Sequence, residues 1–321
     1  LPHNTINSIS QSDDGYLWIA TWEGLVRFNG RHFAVFGRGE ETGLPDSGIR
    51  ALSHDRDNSL LVVGSRGGFV RRSATGWQHW PQLNVLLNDV KQDQHGGYWL
   101  ASEGQGLFYQ QPDGNRLHYT SAQGLPSDVV HSLLVDTAGR VWIGSGRGLA
   151  VIYPDSPNII HPIGDIPPLP VFALLQRGDA VLVGTERGLY QWRDGQSHVA
   201  QAELSALPVS ALLLRNDELW IGTTDRGLLR LTGTVLEQLT IEAGLPNNRI
   251  LSLYQDRESS VWVGTNGGLF RLREAPFVTY TAERGLAGDY VRAVLGHSDG
   301  SIWVGSSQGL NRLSGQNIEQ L

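Results

Sequence analysis

The sequence predicts an all-β fold made of eight four-stranded antiparallel sheets, and three observations support this. The 321 residues include 40 glycines and 10 tryptophans, a composition typical of short aromatic-rich strands joined by tight turns. One phrase, an apolar strand followed by Gly or Ala, then Ser or Thr, and then Gly-Leu (Gly-Phe in one copy), returns in eight copies. The copies are about forty residues apart, which is the length of one propeller blade. We therefore expect a β-propeller with eight repeats, and seven blades are the alternative.

The repeated phrase forms the second strand of each blade. Its second residue is Trp in six copies and Val62 or Leu182 in the other two. Because sheets with two apolar faces must stack on their neighbours, we interpret these aromatic side chains as core between blades and not as a binding ladder. The six are Trp18, Trp99, Trp142, Trp220, Trp262 and Trp303.

The other strands of each blade flank this phrase. An apolar strand that often follows Leu-Pro precedes it, and we expect that strand to be innermost, because it carries a small residue in seven copies and Asp89 in the eighth. A third strand follows Gly-Leu, and a looser fourth follows the third, as in HFAVFG at His32 and FVTYTA at Phe277. We expect one domain, 1–321, with blades at 1–43, 44–82, 83–124, 125–168, 169–206, 207–244, 245–285 and 286–321.

Composition and motifs exclude several classes of function. A net charge of −7 argues against nucleic acid as a partner, and no apolar stretch has the length of a membrane segment. The chain has no cysteine, and its 10 histidines form no close pair, so we expect no metal site. No phosphate loop occurs, and the two G-x-S-x-G matches, which begin at Gly296 and Gly305, fall in hairpin turns of the repeat, so we expect no cofactor and no catalytic residues. The absence of methionine leads us to expect a processed product or a piece of a longer chain.

Strand direction localises the candidate binding residues. The start of the first strand and the turn between the second and third strands must lie on the same face of the ring, where recognition residues gather. The turns place there Trp22, Glu23, Arg66, Glu103, Arg147, Arg187, Asp225, Asn266 and Gln308. The strand starts add Asn7, Arg50, Asn88, His131 and Arg292.

Two features of this face point to a ligand. Arg50, Arg66, Arg147, Arg187 and Arg292 could form a cationic funnel for carboxylate, phosphate or sulfated groups, and the alternative is solvated hairpin charge. Trp22 occupies a turn position that is polar or Gly in the other copies. It could stack on a sugar or another ring, and the alternative is packing over its own blade.

The stretch from Leu1 to Gly30 closely resembles the two-component regulator propeller repeat, and the resemblance extends through all eight copies. In that family such repeats form the extracytoplasmic sensor region of membrane proteins whose output is a histidine kinase or a GGDEF diguanylate cyclase. The resemblance therefore implies a periplasmic, non-catalytic sensor region. The family is described with seven blades or with two rings of seven, so the eight copies here depart from it.

These observations together lead to a ligand-sensing propeller of a bacterial membrane signalling protein. The expected partners are a small molecule or saccharide, output domains of the same polypeptide and, through dimerisation, a second copy of the chain. One alternative is a scaffold that docks another protein. A second alternative is a lyase or glycan-active enzyme with paired carboxylates in the channel.

Overall fold

The computed structural model describes residues 1–37, 39, 43–44, 46–80, 85–273, 280–282, 285–314 and 317–321. This part of the chain is all-β apart from three short 3-10 segments, Ser121–Gln123, Ala202–Leu204 and Ile241–Ala243. No helix within it is long and apolar enough to cross a membrane. The chain divides into two compact units, Leu1–Arg273 and Glu274–Leu321, where we expected one domain.

Each repeat forms one antiparallel sheet of consecutive strands, as predicted. The first sheet contains β1 (Ile6–Gln11), β2 (Leu17–Thr21), β3 (Gly24–Phe28) and β4 (Phe33–Phe36); the second, β5 (Ile49–His54), β6 (Leu60–Gly64), β7 (Phe69–Ser73) and β8 (Gly76–His79). The third contains β9 (Leu87–Gln92), β10 (Tyr98–Ser102), β11 (Leu107–Gln110) and β12 (Arg116–Tyr119); the fourth, β13 (Val130–Val135), β14 (Val141–Ser145), β15 (Gly148–Ile152) and β16 (Ile160–Ile163).

The remaining sheets repeat this order. The fifth contains β17 (Val171–Arg177), β18 (Ala180–Thr185), β19 (Gly188–Arg193) and β20 (Gln196–Val199); the sixth, β21 (Val209–Arg215), β22 (Glu218–Thr223), β23 (Leu228–Thr232) and β24 (Val235–Leu239). The seventh contains β25 (Ile250–Gln255), β26 (Val261–Thr265) and β27 (Leu269–Leu272); the eighth, in the second unit, β28 (Val291–Gly296), β29 (Ile302–Ser306), β30 (Gly309–Ser314) and β31 (Asn317–Gln320). The predicted strand FVTYTA at Phe277 begins outside the described residues.

The core of the first unit lies between neighbouring sheets. One cluster joins Trp99 and Leu107 of the third sheet to Val130 and Ile143 of the fourth. Trp18 and Trp142 have no exposed surface. The interpretation of the repeated Trp as core between blades is therefore confirmed for the first unit.

The first unit is a closed ring of seven sheets. The first strands are neighbours in sequence order from β1 to β25, and β25 in turn lies beside β1. Ser252 Oγ donates to the Ile6 carbonyl at 3.3 Å, and the Arg257 amide donates to Gln11 Oε1 at 2.9 Å. All eight predicted sheets are present, but the ring closes with seven blades, the alternative number, because the apolar face of the first sheet packs against Trp262 of the seventh.

Candidate functional site

The seven sheets of the ring share one edge, which we call the upper edge. In every sheet the first residue of the first strand pairs with the end of the second strand, as in Ile6 with Thr21 and Val130 with Ser145. The upper edge therefore carries the starts of the first strands and the turns that lead into the third strands. The strand direction inferred from the sequence holds in the structure.

Every first strand in the ring carries a β-bulge at its second residue. The ladder register of β1 shifts between Ile6 and Ser8, for example, which leaves Asn7 unpaired. Such an extra residue bends the strand and re-aims its side chain. Because the first strands form the innermost circle of the ring, the bulged residues form a ring of their own: Asn7, Arg50, Asn88, His131, Phe172, Ser210 and Leu251.

Three of these bulged side chains tie neighbouring blades together. Asn7 Nδ2 donates to the Ile49 carbonyl at 2.7 Å, and Ser210 Oγ donates to the Ile250 carbonyl at 2.7 Å. Asn88 Nδ2 donates in the same way to the Val130 carbonyl at 2.8 Å. These hydrogen bonds fix the innermost circle and give the polar bulge residues a structural role.

The second to fifth sheets bring polar and aromatic side chains together at the upper edge. Arg50 Nη2 lies 3.1 Å from Glu103 Oε2, and Asn88 Nδ2 donates to the same carboxylate oxygen at 2.9 Å. The His131 ring lies 5.1 Å from the ring of Phe172, centroid to centroid. We call Arg50, Asn88, Glu103, His131 and Phe172 the mouth cluster.

The electrostatics of the mouth cluster suit a neutral polar ligand. Burial lowers the pKa of His131, and Arg50 acts in the same direction while Glu103 opposes it. The histidine is therefore neutral near pH 7 and offers one donor and one acceptor. Arg50 and Glu103 cancel each other's charge, and each keeps about a third of its side chain exposed, 33% and 37%. The cluster thus presents donors and acceptors without a net charge.

The arginines expected to form a cationic funnel do not gather. Arg50 is paired with Glu103, and Arg66 lies 3.8 Å from Asp46 with most of its side chain in solvent. Arg147 and Arg187 are exposed, and their backbone amides donate to Ser145 Oγ and Thr185 Oγ1 in the turns. Arg292 belongs to the second unit, where its guanidinium lies over the ring of Tyr290.

The other predicted residues lie in turns. Trp22 is 40% exposed, and its turn lies against Gly48, two residues before Arg50, so it flanks the mouth cluster. Glu23 and Asp225 are exposed, and Asn266 accepts a hydrogen bond from Thr5 Oγ1 at 3.2 Å. Gln308 lies in a turn of the second unit. Within the described residues no group of His, Cys, Asp or Glu could hold a metal ion.

Sequence reasoning missed three members of the bulge ring, Phe172, Ser210 and Leu251. A usable signal was present, because each directly precedes the small residue of its first strand. A search for polar binding residues does not find the apolar Phe172, although its ring lies 5.1 Å from that of His131.

The closed ring of repeated antiparallel sheets defines a β-propeller. Residues 1–23, 124–147 and 244–267 match the two component regulator propeller profile. No curated protein matches the chain at a significant level.

Solved structures share this fold. The extracellular domain of the proposed hybrid two component system BT3049 from B. thetaiotaomicron superposes with a TM-score of 0.75 at 21% identity, over 99% of this chain and 47% of that domain. The corresponding domain of BT4673 gives 0.72 at 22% identity, over 99% and 45%. Virginiamycin B lyase from Staphylococcus aureus gives 0.68 at 14%, over 84% and 94%. The chain thus spans about half the length of the extracellular domains.

Proposed function

We propose that this chain is a ligand-sensing, non-catalytic part of the periplasmic region of a bacterial membrane signalling protein. The two-component regulator propeller repeats and the likeness to extracellular domains support this role. Any enzymatic activity then resides in an output domain of the same polypeptide, of the histidine kinase or GGDEF diguanylate cyclase type. The lyase alternative is supported only by a fold shared with virginiamycin B lyase at 14% identity. A shared fold does not establish a shared function.

The mouth cluster is the observation that carries the ligand-sensing role. Its polar groups are a guanidinium, a carboxylate, an amide and a neutral imidazole, beside the apolar ring of Phe172. Neutral donors and acceptors next to an aromatic ring suit the hydroxyls and the apolar face of a sugar. Because Glu103 already neutralises Arg50, an anionic ligand gains less from this site. The proposed ligand is therefore a saccharide or a similar polyhydroxylated molecule.

A thermal-shift screen followed by calorimetry tests this function. A panel of mono- and oligosaccharides is compared with organic acids of similar size. A ligand at 100 times its Kd stabilises the folded state by about 2.7 kcal/mol, which gives a measurable rise in Tm. We expect a saccharide to raise Tm, and we expect Arg50→Gln and Glu103→Gln to weaken its binding at least tenfold.

The matched control is Arg226→Gln, which changes an exposed upper-edge arginine of the sixth sheet outside the cluster. It should bind the saccharide as the unmodified chain does. If no saccharide or acid shifts Tm, or if the cluster variants bind normally, the mouth cluster is not a small-ligand site. The protein-docking alternative then becomes the better description.

A further inference from the structure

A recurring arrangement lies at the opposite edge of the sheets, where the first and second strands are joined. The indole Nε1 of the repeated Trp donates to a carboxylate of that hairpin, and an arginine pairs with the carboxylate and lies over the indole. In the fourth sheet Trp142 donates to Asp136 at 2.8 Å, and the Arg140 guanidinium is 5.2 Å from the indole centroid. The sixth and seventh sheets repeat it with Glu218, Trp220 and Arg230 and with Asp256, Trp262 and Arg271.

The third sheet has the carboxylate and the Trp but lacks the arginine. Trp99 Nε1 donates to Asp93 at 3.0 Å. Tyr109 stands opposite Trp99 in the ladder, where the sixth and seventh sheets have Arg230 and Arg271. Gly97, four residues after Asp93, stands where the fourth sheet has Arg140. Within the described residues no Lys, Arg or His pairs with Asp93.

The Asp93 carboxylate is nevertheless buried and hydrogen-bonded. It is 6% exposed, and it accepts hydrogen bonds from the backbone amides of His95 at 2.9 Å and Gly97 at 3.0 Å. A buried carboxylate is costly unless it is hydrogen-bonded and paired with a positive charge. Asp93 has the hydrogen bonds, but no positively charged side chain of the described residues pairs with it.

A cavity of about 280 Å³ lies beside Asp93, between the third and fourth sheets. Four aromatic residues, Trp99, Tyr109, Tyr119 and Tyr153, are among the residues that line it, together with Asp93 and His95. The Tyr119 hydroxyl donates to the Pro157 carbonyl at 3.2 Å, and Tyr109 stacks on Trp99 at 4.2 Å, so two of the walls are held in place. This volume is slightly below that of typical small-molecule pockets, which start at about 300 Å³, so the cavity suits only a small ligand.

We propose that this cavity binds a small organic cation, whose positive group supplies beside Asp93 the charge that an arginine guanidinium supplies in the fourth, sixth and seventh sheets. Aromatic faces attract cations through the ring quadrupole, and the attraction grows when water is excluded. The Asp93 carboxylate adds a direct charge partner. A neutral molecule would leave this carboxylate unpaired, and an anion would be repelled by it. The proposal concerns a site separate from the mouth cluster and does not depend on that site.

The Tyr109 phenol keeps its proton over a wide pH range. Burial raises the pKa of Tyr109, and the neighbouring carboxylate of Asp93 raises it further. The Tyr109 phenol therefore stays neutral near pH 7. A pH near 7 is suitable for the measurement.

Calorimetric titration of the chain with four probes of similar size tests the proposal. The probes are benzylamine, benzyltrimethylammonium, benzyl alcohol and benzoate. We expect the two cations to bind at least tenfold more tightly than the alcohol, and we expect no binding of benzoate. Tighter binding of benzylamine would show a direct N–H contact to Asp93, whereas equal binding of both cations would show that the aromatic walls dominate.

The decisive variant is Tyr109→Arg, which restores in the third sheet the arginine that the sixth and seventh sheets have. We expect it to fold with unchanged or higher Tm and to abolish binding of both cations. Asp93→Asn should weaken cation binding at least tenfold, and its far-ultraviolet circular dichroism checks that the fold survives. His198→Ala, an exposed change on the outer strand of the fifth sheet, is the control and should bind normally.

Three results would overturn the proposal. The first is an absence of cation binding at millimolar concentration by folded protein. The second is equal binding of benzyl alcohol and the cations. The third is undiminished cation binding by a folded Tyr109→Arg variant. Saccharide binding at the mouth cluster is measured with different probes, so either site can fail without the other.

Discussion

Arg50 of the second sheet reaches across to the third and lies 3.1 Å from Glu103 Oε2, so the one ion pair in the mouth cluster joins two blades. It neutralises an arginine that the sequence offers as an anion-binding group. An exposed pair of this kind contributes little stability, about 0.2–1 kcal/mol. Its main effect is to remove the positive charge that Arg50 would otherwise present to a ligand.

Glu103→Gln should therefore change ligand preference more than stability. Loss of the carboxylate frees the Arg50 guanidinium, so organic acids should bind more tightly to the variant than to the unmodified chain. The free energy of unfolding should fall by less than about 1 kcal/mol. Urea denaturation and calorimetry with the acid panel measure the two effects. A large loss of stability without a change in preference would contradict this role of the pair.

The two histidines with lowered pKa should make the ring less stable in mild acid. Burial lowers the pKa of His131 and of His54, and Arg257 and Lys91 act in the same direction on His54. Histidine in an unfolded chain has a pKa of about 6.5, so below that pH the unfolded chain binds protons that the folded ring does not. Stability is full above about pH 6.5 and falls as pH drops toward the folded values.

Urea denaturation between pH 8 and pH 5 measures this loss. The double variant His54→Gln/His131→Gln should lose less stability over that interval than the unmodified chain does. Each single variant should fall between the two. Parallel pH profiles for all four proteins would show that these histidines are not the source of the acid sensitivity.

Two glycines with the same backbone conformation should respond very differently to alanine. Gly106 has φ +77°, and a Cβ there would lie 2.1 Å from the Tyr119 carbonyl oxygen. Gly15 has φ +84°, and a Cβ there would meet nothing within 4 Å. Gly15→Ala should cost about 1–2 kcal/mol for the left-handed conformation alone. Gly106→Ala adds a clash with the backbone and should lower the free energy of unfolding by clearly more than Gly15→Ala does. Urea denaturation of both variants measures the difference. Equal losses of stability would contradict the close approach of Gly106 to Tyr119.

A chain that ends at Ala282 should fold as a closed ring. Its first and seventh sheets are joined by the packing of Trp262 and by the bonds from Ser252 and Arg257. We expect a monomer with one cooperative thermal transition within a few degrees of that of the full chain. An aggregated or partly unfolded product would mean that the eighth sheet is needed for closure. Size-exclusion chromatography and calorimetry distinguish these outcomes.

The sequence by itself determined the repeated unit. The spacing of the Trp and Gly-Leu phrases specified eight sheets of consecutive strands, because an apolar strand bounded by tight turns pairs with its nearest neighbours. Strand direction also placed Arg50, Asn88 and His131 at one edge, because alternate turns of an antiparallel sheet lie on the same side. These features depend on contacts between strands that are neighbours along the chain, so the local sequence pattern predicts them.

The tertiary structure decided what depends on contacts between blades. Whether the ring closes with seven or eight sheets depends on how the face of β1 fits the side of β25, and these strands are far apart in the chain. The pairing of Arg50 with Glu103 and the lack of a cationic partner for Asp93 within the described residues arise from side chains on different strands. The sequence shows that an arginine is present or missing, but only the packed sheets show which carboxylate it neutralises and which one is left for a ligand.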